Sequence, residues 1–335
     1  MLQRCFEDFA LGSSDLPGSV TITRDDIVAF ARDYDPQPFH LDEDEARRTF
    51  AGGLIASGWQ SCALMMRLVA DGLLLDSSCM GAPGIEEVRW LRPVRPGDTL
   101  AARCTTLDTK ISRSRPEMGF VYFRLELLNQ RQETVLSQVN WIMFGRRDAS
   151  ASLRPGEEQS SGKPEASARP NGSVAPAATE AHDLGSHRFD ADDIIRFARA
   201  FDPQPFHIDP DAAARSHFGA LCASGWHTAA VWMRRMVEYR RTVAAEMLAR
   251  GEQPPTLGVS PGFTDLRWLK PVYAGDTITY ASKLLEERPS ASRPGWSLAS
   301  SRNTGVNQRG ERVFEFTGKV FVKAAAGSVS DPQSR

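Results

Sequence analysis

The sequence has few of the residues that build metal centres, disulfide frameworks or membrane spans. Its 335 residues include five cysteines with no Cys-x-x-Cys pair and six histidines with no His-Glu-x-x-His motif. This predicts no bound metal, and an odd number of scattered cysteines suits a reducing compartment. No apolar run reaches the roughly 18 residues of a membrane-spanning helix, and the N-terminus lacks the apolar core of a secretory signal. We therefore expect a cytoplasmic protein.

The chain also lacks a marked excess of either charge. Lysine and arginine total 40 against 42 aspartates and glutamates, which gives a net charge of −2. A nucleic-acid binder or a polybasic membrane-surface protein would carry a clear positive excess. Hydrophobic residues make up 41% of a length that has room for about two domains. The composition predicts a globular two-domain protein without nucleic-acid or membrane partners.

A long internal repeat organises the chain. Residues 30–40 read FARDYDPQPFH and residues 197–207 read FARAFDPQPFH, an offset of 167. Arg-Trp-Leu at 89–91 recurs at 267–269, where the offset has grown to 178. We call positions related by these offsets twins. The second copy therefore carries 11 extra residues, which we place between its long helix and its next strand. The repeat predicts a duplicated domain.

The region between the copies differs from both of them in composition. Residues 148–184 are rich in serine, alanine, proline, glycine and glutamate and carry almost nothing that fills a core. We interpret them as a flexible linker with a mean span of roughly 30–36 Å. The predicted domains are 1–147 and 185–323, and residues 324–335 form a disordered tail.

Each copy shows the same order of predicted elements. A short helix ends before the first proline of Asp-Pro-Gln-Pro-Phe-His, and a longer apolar helix follows a Ser-Gly pair. Period-two β patterns come next. The predicted strands are 88–94, 99–107, 120–128 and 134–144 in copy one, and 266–272, 277–285, 297–306 and 311–322 in copy two. One long helix followed by several antiparallel strands indicates an α+β fold with the sheet wrapped around the helix.

The hexapeptide is the sharpest candidate for chemistry. It runs from Asp35 to His40 and again from Asp202 to His207, and two prolines stiffen the loop in each. A stiff loop can hold a carboxylate and an imidazole at the fixed separation that proton transfer to a bound water requires. The alternative is that the prolines only end a helix and the histidine packs beneath the turn.

A second candidate lies where the long helix begins. Ser57-Gly58 and Ser224-Gly225 each precede it, and backbone N–H groups at a helix N-terminus are unpaired and electropositive. Glycine lets a substrate oxygen approach, so Gly58 and Gly225 are candidates for an oxyanion hole. The alternative is a helix start where glycine avoids a clash. Near the end of this helix, Arg67 and Arg234 are interpreted as solvated, with a phosphate contact as the alternative.

These motifs together resemble the MaoC-like dehydratase and (R)-specific enoyl-CoA hydratase family. That family carries an Asp-x-Asn-Pro-Leu-His motif, which both hexapeptides match in spacing, and a small-residue–His/Ser–Gly segment at the start of its helix. Its Pro-Val-x-Pro-Gly-Asp-Thr strand entry matches residues 93–99, and nearly matches 271–277, where alanine replaces the second proline. The resemblance covers about residues 20–147 and 187–323. It implies a double hotdog: two hotdog domains forming a pseudo-dimer in one chain, with a further homodimer left open.

The resemblance also implies an activity. It is the reversible syn addition of water to a trans-2-enoyl-CoA, giving an (R)-3-hydroxyacyl-CoA, with coenzyme A or a carrier protein as part of the substrate and no other cofactor. The implied catalytic residues are Asp35, His40, Asp202 and His207, with Gly58 and Gly225 as oxyanion donors and Gln37, Ser57, Gln204 and Ser224 as weaker substrate-binding candidates. Gln37 and Gln204 replace the asparagine of the family, which leaves the role of that amide open.

Two other functions are weighed against this hydro-lyase. Hotdog thioesterases usually place an acidic residue in the first turns of the long helix, whereas residues 59–70 and 226–237 contain none. The third hypothesis is a non-catalytic protein that binds acyl thioesters. Two intact Asp–His pairs argue against it.

Overall fold

The computed structural model describes residues 4–147 and 180–323. Most of the predicted linker and the predicted tail lie outside these residues. Copy one consists of β1 (Ser14–Thr21), α1 (Arg24–Tyr34), α2 (Pro38–Leu41), α3 (Glu43–Arg47), α4 (Gly58–Val69), β2 (Cys79–Gly81), β3 (Gly84–Trp90), β4 (Thr99–Ile111), β5 (Met118–Leu128) and β6 (Thr134–Gly145). Copy two consists of β7 (His182–Arg188), α5 (Ala191–Phe201), α6 (Pro205–Ile208), α7 (Pro210–Arg215), α8 (Gly225–Ala249), β8 (Thr256–Leu257), β9 (Gly262–Trp268), β10 (Thr277–Pro289), β11 (Ser297–Asn307) and β12 (Arg312–Lys323).

The strands of both copies form one continuous antiparallel sheet. Its order is β1-β4-β5-β6-β3-β9-β12-β11-β10-β7, with β2 beside β6 and β8 beside β12. The copies join where β3 pairs with β9, in a register that sets Val88 opposite Phe263. Hydrogen bonding across this junction turns two sheets into one, so the predicted pseudo-dimer within one chain is present.

The long helices α4 and α8 lie against the sheet and against each other. Their caps are alike, because the hydroxyls of Ser57 and Ser224 accept from the backbone N–H two residues on. The buried residues of both copies form one apolar cluster. Within it, Trp59 of α4 stacks on Phe263 of copy two at 4.9 Å between ring centroids. Each helix therefore contributes to a core that the two copies share.

The structure corrects several sequence-based expectations. The strand expected at 88–94 is Gly84–Trp90, and the short strands β1, β2, β7 and β8 were not predicted. Strand β7 begins at His182, so the boundary placed at residue 184 is three residues too late. The 11 extra residues of copy two do not form a separate connection. Most of them lengthen α8, which runs for 25 residues, whereas α4 has 12 residues and is followed directly by a five-residue π-helical turn at Ala70–Leu74.

Candidate active site

In copy one, the chain bends so that Asp35 and His40 face each other. Asp35 ends α1 because the residue before a proline is pushed out of the helical region, and Pro38 then starts the single turn of α2 that carries His40. The histidine therefore lies on a short helix where a stiff loop was expected. Both side chains are buried, at 2% and 4% exposure, and the Nε2 of His40 lies 3.4 Å from the Oδ2 of Asp35.

Two neighbouring side chains hold the Asp35 carboxylate. The Ser57 hydroxyl donates to its Oδ2 at 2.6 Å, and the Gln37 amide donates to its Oδ1 at 2.9 Å. Burial raises the pKa of Asp35, but the charge and hydrogen bond of His40 together with these two donors outweigh it. The net pKa lies below the ordinary value of an aspartate. Asp35 is therefore an ionised carboxylate, and Gln37 and Ser57 orient it directly.

The backbone settles which nitrogen of His40 exchanges a proton. Its Nδ1 lies 2.7 Å from the carbonyl oxygen of Ile55, and a carbonyl can only accept, so Nδ1 carries a hydrogen. Nε2, which faces Asp35, is then the nitrogen that takes up or releases a proton. This pairing of an oriented imidazole with an ionised carboxylate is suited to general acid–base chemistry.

Copy two repeats this geometry almost atom for atom. His207 Nε2 lies 3.6 Å from Asp202 Oδ2, the Ser224 hydroxyl donates to the same oxygen at 2.6 Å, and the Gln204 amide donates to Oδ1 at 2.9 Å. The Nδ1 of His207 lies 2.8 Å from the carbonyl of Cys222. The structure thus brings together both sets of predicted carboxylate, imidazole, hydroxyl and amide.

The glycines at the helix starts pack against tryptophans on the adjoining strands. A Cβ on Gly58 would lie 2.5 Å from the Trp90 ring, and one on Gly225 would lie 2.2 Å from the Trp268 ring. In both copies the glycine therefore avoids a clash with the tryptophan, which is the alternative that the sequence left open. Both also line the cavity of their own Asp–His pair, which keeps their N–H groups candidates for a thioester oxygen.

Each Asp–His pair opens into a cavity whose far wall belongs to the other copy. Cavity one, which contains Asp35 and His40, measures about 480 Å³, and Trp232 and Arg240 of α8 line it. Cavity two, which contains Asp202 and His207, measures about 370 Å³ and is lined by Met65 and neighbouring apolar residues of α4. Neither site is complete within one copy.

The two cavities differ in charge. Five cationic side chains line cavity one: Arg92, Arg95, Arg240, Arg293 and Lys319. Among residues 4–147 and 180–323, only Arg92 of these five has a carboxylate within ion-pair distance. Lys270 is the one lysine or arginine among the described residues that line cavity two, and it is paired with Glu311. Cavity one is therefore suited to an anionic ligand.

Arg67 and Arg234, interpreted from sequence as solvated, bridge the two copies. The Arg67 guanidinium donates to the carbonyl of Arg199 at 2.7 Å, and that of Arg234 donates to the carbonyl of Asp33 at 3.0 Å. Those carbonyls end the helices that lead into Asp202 and Asp35, where a cation stabilises the helix terminus. Each copy thus supports the turn that carries the Asp–His pair of the other, a role that no local sequence signal indicates.

Two further observations concern other kinds of site. In the described part of the chain, no group of three or more His, Cys, Asp or Glu side chains is placed to hold a metal ion. None of its helices is long and apolar enough to cross a membrane. Helix α4 contains no acidic residue, and α8 contains none before Glu238, so the carboxylate expected of a hotdog thioesterase is missing from their first turns.

Comparisons with known proteins agree with this architecture. The model of the family described as MaoC like domain matches residues 12–121 and 173–293. The uncharacterized protein YdeM of Bacillus subtilis is 31% identical over 130 residues, 38% of this chain and 90% of that protein. An (R)-specific enoyl-CoA hydratase of Rhodospirillum rubrum is 32% identical over 125 residues, 36% of this chain and 77% of that enzyme.

A solved structure shows the same fold over nearly the whole chain. RV0216, a conserved hypothetical protein from Mycobacterium tuberculosis with a double hotdog fold, superposes with a TM-score of 0.69 at 15% identity. The alignment covers 96% of this chain and 98% of that one. The chain is a double hotdog, as the repeat and its motifs predicted.

Proposed function

The chain belongs to the MaoC-like domain family, and from that premise we propose that it is a hydro-lyase that adds water reversibly to a trans-2-enoyl-CoA. The observation that carries the proposal is the buried Asp35–His40 pair, whose imidazole is held in one tautomer beside an ionised carboxylate. The same arrangement at Asp202–His207 makes two active sites the expected number. The hydratase among the relatives supports the reaction class.

In the proposed reaction, the Asp–His pair holds a water molecule at the third carbon of the enoyl chain. The pair accepts one proton of the water while its oxygen bonds to that carbon, and it returns a proton to the second carbon. Because one pair handles both transfers on one face of the chain, the addition is syn. We propose the (R)-3-hydroxyacyl thioester as the product from the similarity to an (R)-specific hydratase. Negative charge that develops on the thioester oxygen is stabilised by the N–H of Gly58 or Gly225.

The cations around cavity one support coenzyme A as the carrier. Arg95, Arg240 and Lys319 line this cavity and form no ion pair with a carboxylate among the described residues. The phosphates of coenzyme A would pair with these cations. The missing helix carboxylate argues against a thioesterase.

The test is the conjugated absorbance of crotonyl-CoA followed together with free thiol. Loss of absorbance without thiol release is the expected result, and thiol release would establish a thioesterase instead. The double variant Asp35→Asn/Asp202→Asn should abolish the absorbance loss, whereas Asp25→Asn, an exposed change on α1, should not alter it. Full activity in the double variant would show that the assignment is wrong. Branched and dicarboxylic enoyl-CoAs extend the panel if crotonyl-CoA is not turned over.

A further inference from the structure

Cavity one has two buried polar atoms that no protein group satisfies. Asn303 of β11 and Trp232 of α8 both line it and are 1% and 6% exposed. The Asn303 Nδ2 donates to the carbonyl of Ser301 at 3.1 Å, which orients the amide and leaves Oδ1 as the free acceptor. Within the described ranges, neither this oxygen nor the Trp232 Nε1 has a hydrogen-bond partner.

The two atoms lie in the same part of the cavity. Asn303 is paired with Phe316 across the β11–β12 ladder, and the Phe316 ring lies 4.6 Å from the ring of Trp232. The small polar side chains of Ser282 and Ser301 line the cavity as well. An acceptor and an N–H donor are thus presented by neighbouring side chains on a wall that is otherwise largely aromatic.

This wall is separated from the reacting end of the cavity by one aromatic ring, because the ring of Trp59, the residue after Gly58, lies 5.9 Å from the Trp232 ring and 5.6 Å from the Phe316 ring. Gly58, beside the Asp35–His40 pair, is hydrogen-bonded to Trp90 at the end of β3. Strand β11 is the third strand beyond β3 in the sheet. Strands are spaced about 4.8 Å apart, so the path along the curved sheet from β3 to Asn303 is about 14 Å. A group that reaches Asn303 therefore belongs to the part of the acyl chain beyond its reacting carbons, which we call its distal part.

We propose that cavity one accepts enoyl thioesters that carry a hydroxyl group on the distal part of the acyl chain; this rests on the proposed function. A hydroxyl donates to the Asn303 oxygen and accepts from the Trp232 N–H, whereas an alkyl end leaves both buried atoms unsatisfied. A carboxylate would set its negative oxygen against that of Asn303.

Cavity two lacks equivalents of Asn303 and Trp232. The twin of Asn303 is Leu125 and the twin of Trp232 is Met65, both apolar, and both line cavity two. Gln138 on β6 also has an unpartnered oxygen there, but its Nε2 donates to Asn140. The hydroxyl preference therefore belongs to the site of Asp35 and His40.

The test compares trans-2-enoyl-CoAs of six to twelve carbons with their ω-hydroxy counterparts, in the Asp202→Asn background so that site one is measured alone. At the best chain length we expect the hydroxylated substrate to have a kcat/KM at least about tenfold higher. Asn303→Leu, which installs the residue of the twin position, and Trp232→Phe should each remove most of this preference. Thr304→Val, a neighbouring change on β11 outside the cavity lining, should retain it.

Calorimetry with saturated ω-hydroxyacyl-CoAs and their unsubstituted counterparts separates this inference from the proposed function. Tighter binding of the hydroxylated chain that is lost in Asn303→Leu supports the subsite even if no substrate is hydrated. Equal binding in the unmodified protein, or a preference that Asn303→Leu leaves intact, overturns it. The occupant of the polar wall would then be a buried water.

Discussion

The two copies of the domain share the geometry of their Asp–His pairs and differ in the cavities into which these pairs open. The distance from imidazole to carboxylate is 3.4 Å in copy one and 3.6 Å in copy two, and the serine hydroxyl donates at 2.6 Å in both. Cavity one is the larger, carries five cationic side chains and has a polar far wall. Cavity two is smaller and is lined largely by methionine, leucine and other apolar residues.

The physical origin of this difference is the crossing of the long helices. Each helix begins at its own Asp–His pair and then forms the wall of the other cavity. Residues in the second half of α8 therefore line the cavity of copy one. Arg240 lies in this second half of the helix, where the twin position is Leu73, and the neighbouring Arg241 donates to the carbonyl of Pro36. Residues of one copy thus shape the cavity of the other.

The proposed difference between the two sites is tested most directly by inactivating them one at a time. With a long-chain enoyl-CoA we expect Asp35→Asn to lower kcat/KM by about 10²–10⁴-fold, because it removes the ionised partner of His40. Asp202→Asn should retain most of the activity on this substrate, since cavity two is smaller and its one cationic side chain among the described residues, Lys270, is already paired with Glu311. Steady-state kinetics of both single variants decide this, and a greater loss in Asp202→Asn would reverse the assignment of the principal site.

The cationic wall can be tested by exchanging Arg240 for the residue of its twin. We expect Arg240→Leu to raise the KM of site one for acyl-CoA about tenfold with little change in kcat, because an anionic group of the substrate loses a charged partner. Measured in the Asp35→Asn background, the same change should leave the residual activity of site two unaltered. A loss of kcat alone would contradict a binding role.

The tryptophans above the helix glycines offer a matched comparison of stability. The Trp90 N–H donates to the carbonyl of Gly58 at 3.0 Å, whereas the buried Trp268 N–H has no partner in the described residues. We expect Trp90→Phe to lower the free energy of unfolding by about 1–2 kcal/mol more than Trp268→Phe does. Urea denaturation measures both, and equal losses would show that the hydrogen bond contributes nothing.

The smallest expected effect is the response of Asp35 to acid. Its pKa is lowered in the folded protein, so the ionised form stabilises the fold above the unfolded pKa of about 3.9. This contribution is lost as the pH falls through the folded pKa. Acidification from pH 5 to pH 3 should therefore destabilise the wild type more than it destabilises Asp35→Asn.

Stability curves at each pH test that expectation, and NMR of the Asp35 carboxyl carbon gives an independent check. In Ser57→Ala the titration should move to higher pH, because the carboxylate loses a hydrogen-bond donor. An unchanged titration would show that Ser57 acts only as the cap of α4.

Much of the fold and most of the site followed from the sequence. The duplication, the α+β class and the grouping of each Asp–His pair with its serine and glutamine are visible because short motifs determine local geometry: a residue before proline leaves the helix, and Ser-Gly starts the next one. The strand at 88–94 was misplaced because apolar periodicity does not show where a strand ends. The short strands β1 and β7 carry polar, partly exposed residues and give little pattern.

What only the tertiary structure decided is which residues meet across the two copies. Arg67 reaches a helix end 132 residues away, and Trp232 and Asn303 line the cavity of Asp35 and His40 although neither lies near that pair in sequence. Such contacts depend on the pairing of β3 with β9 and the crossing of two helices. The groups around each Asp–His pair lie within about 20 residues of one another in the chain, so local rules suffice for them, whereas the cavity walls are built by long-range contacts and exist only in the folded molecule.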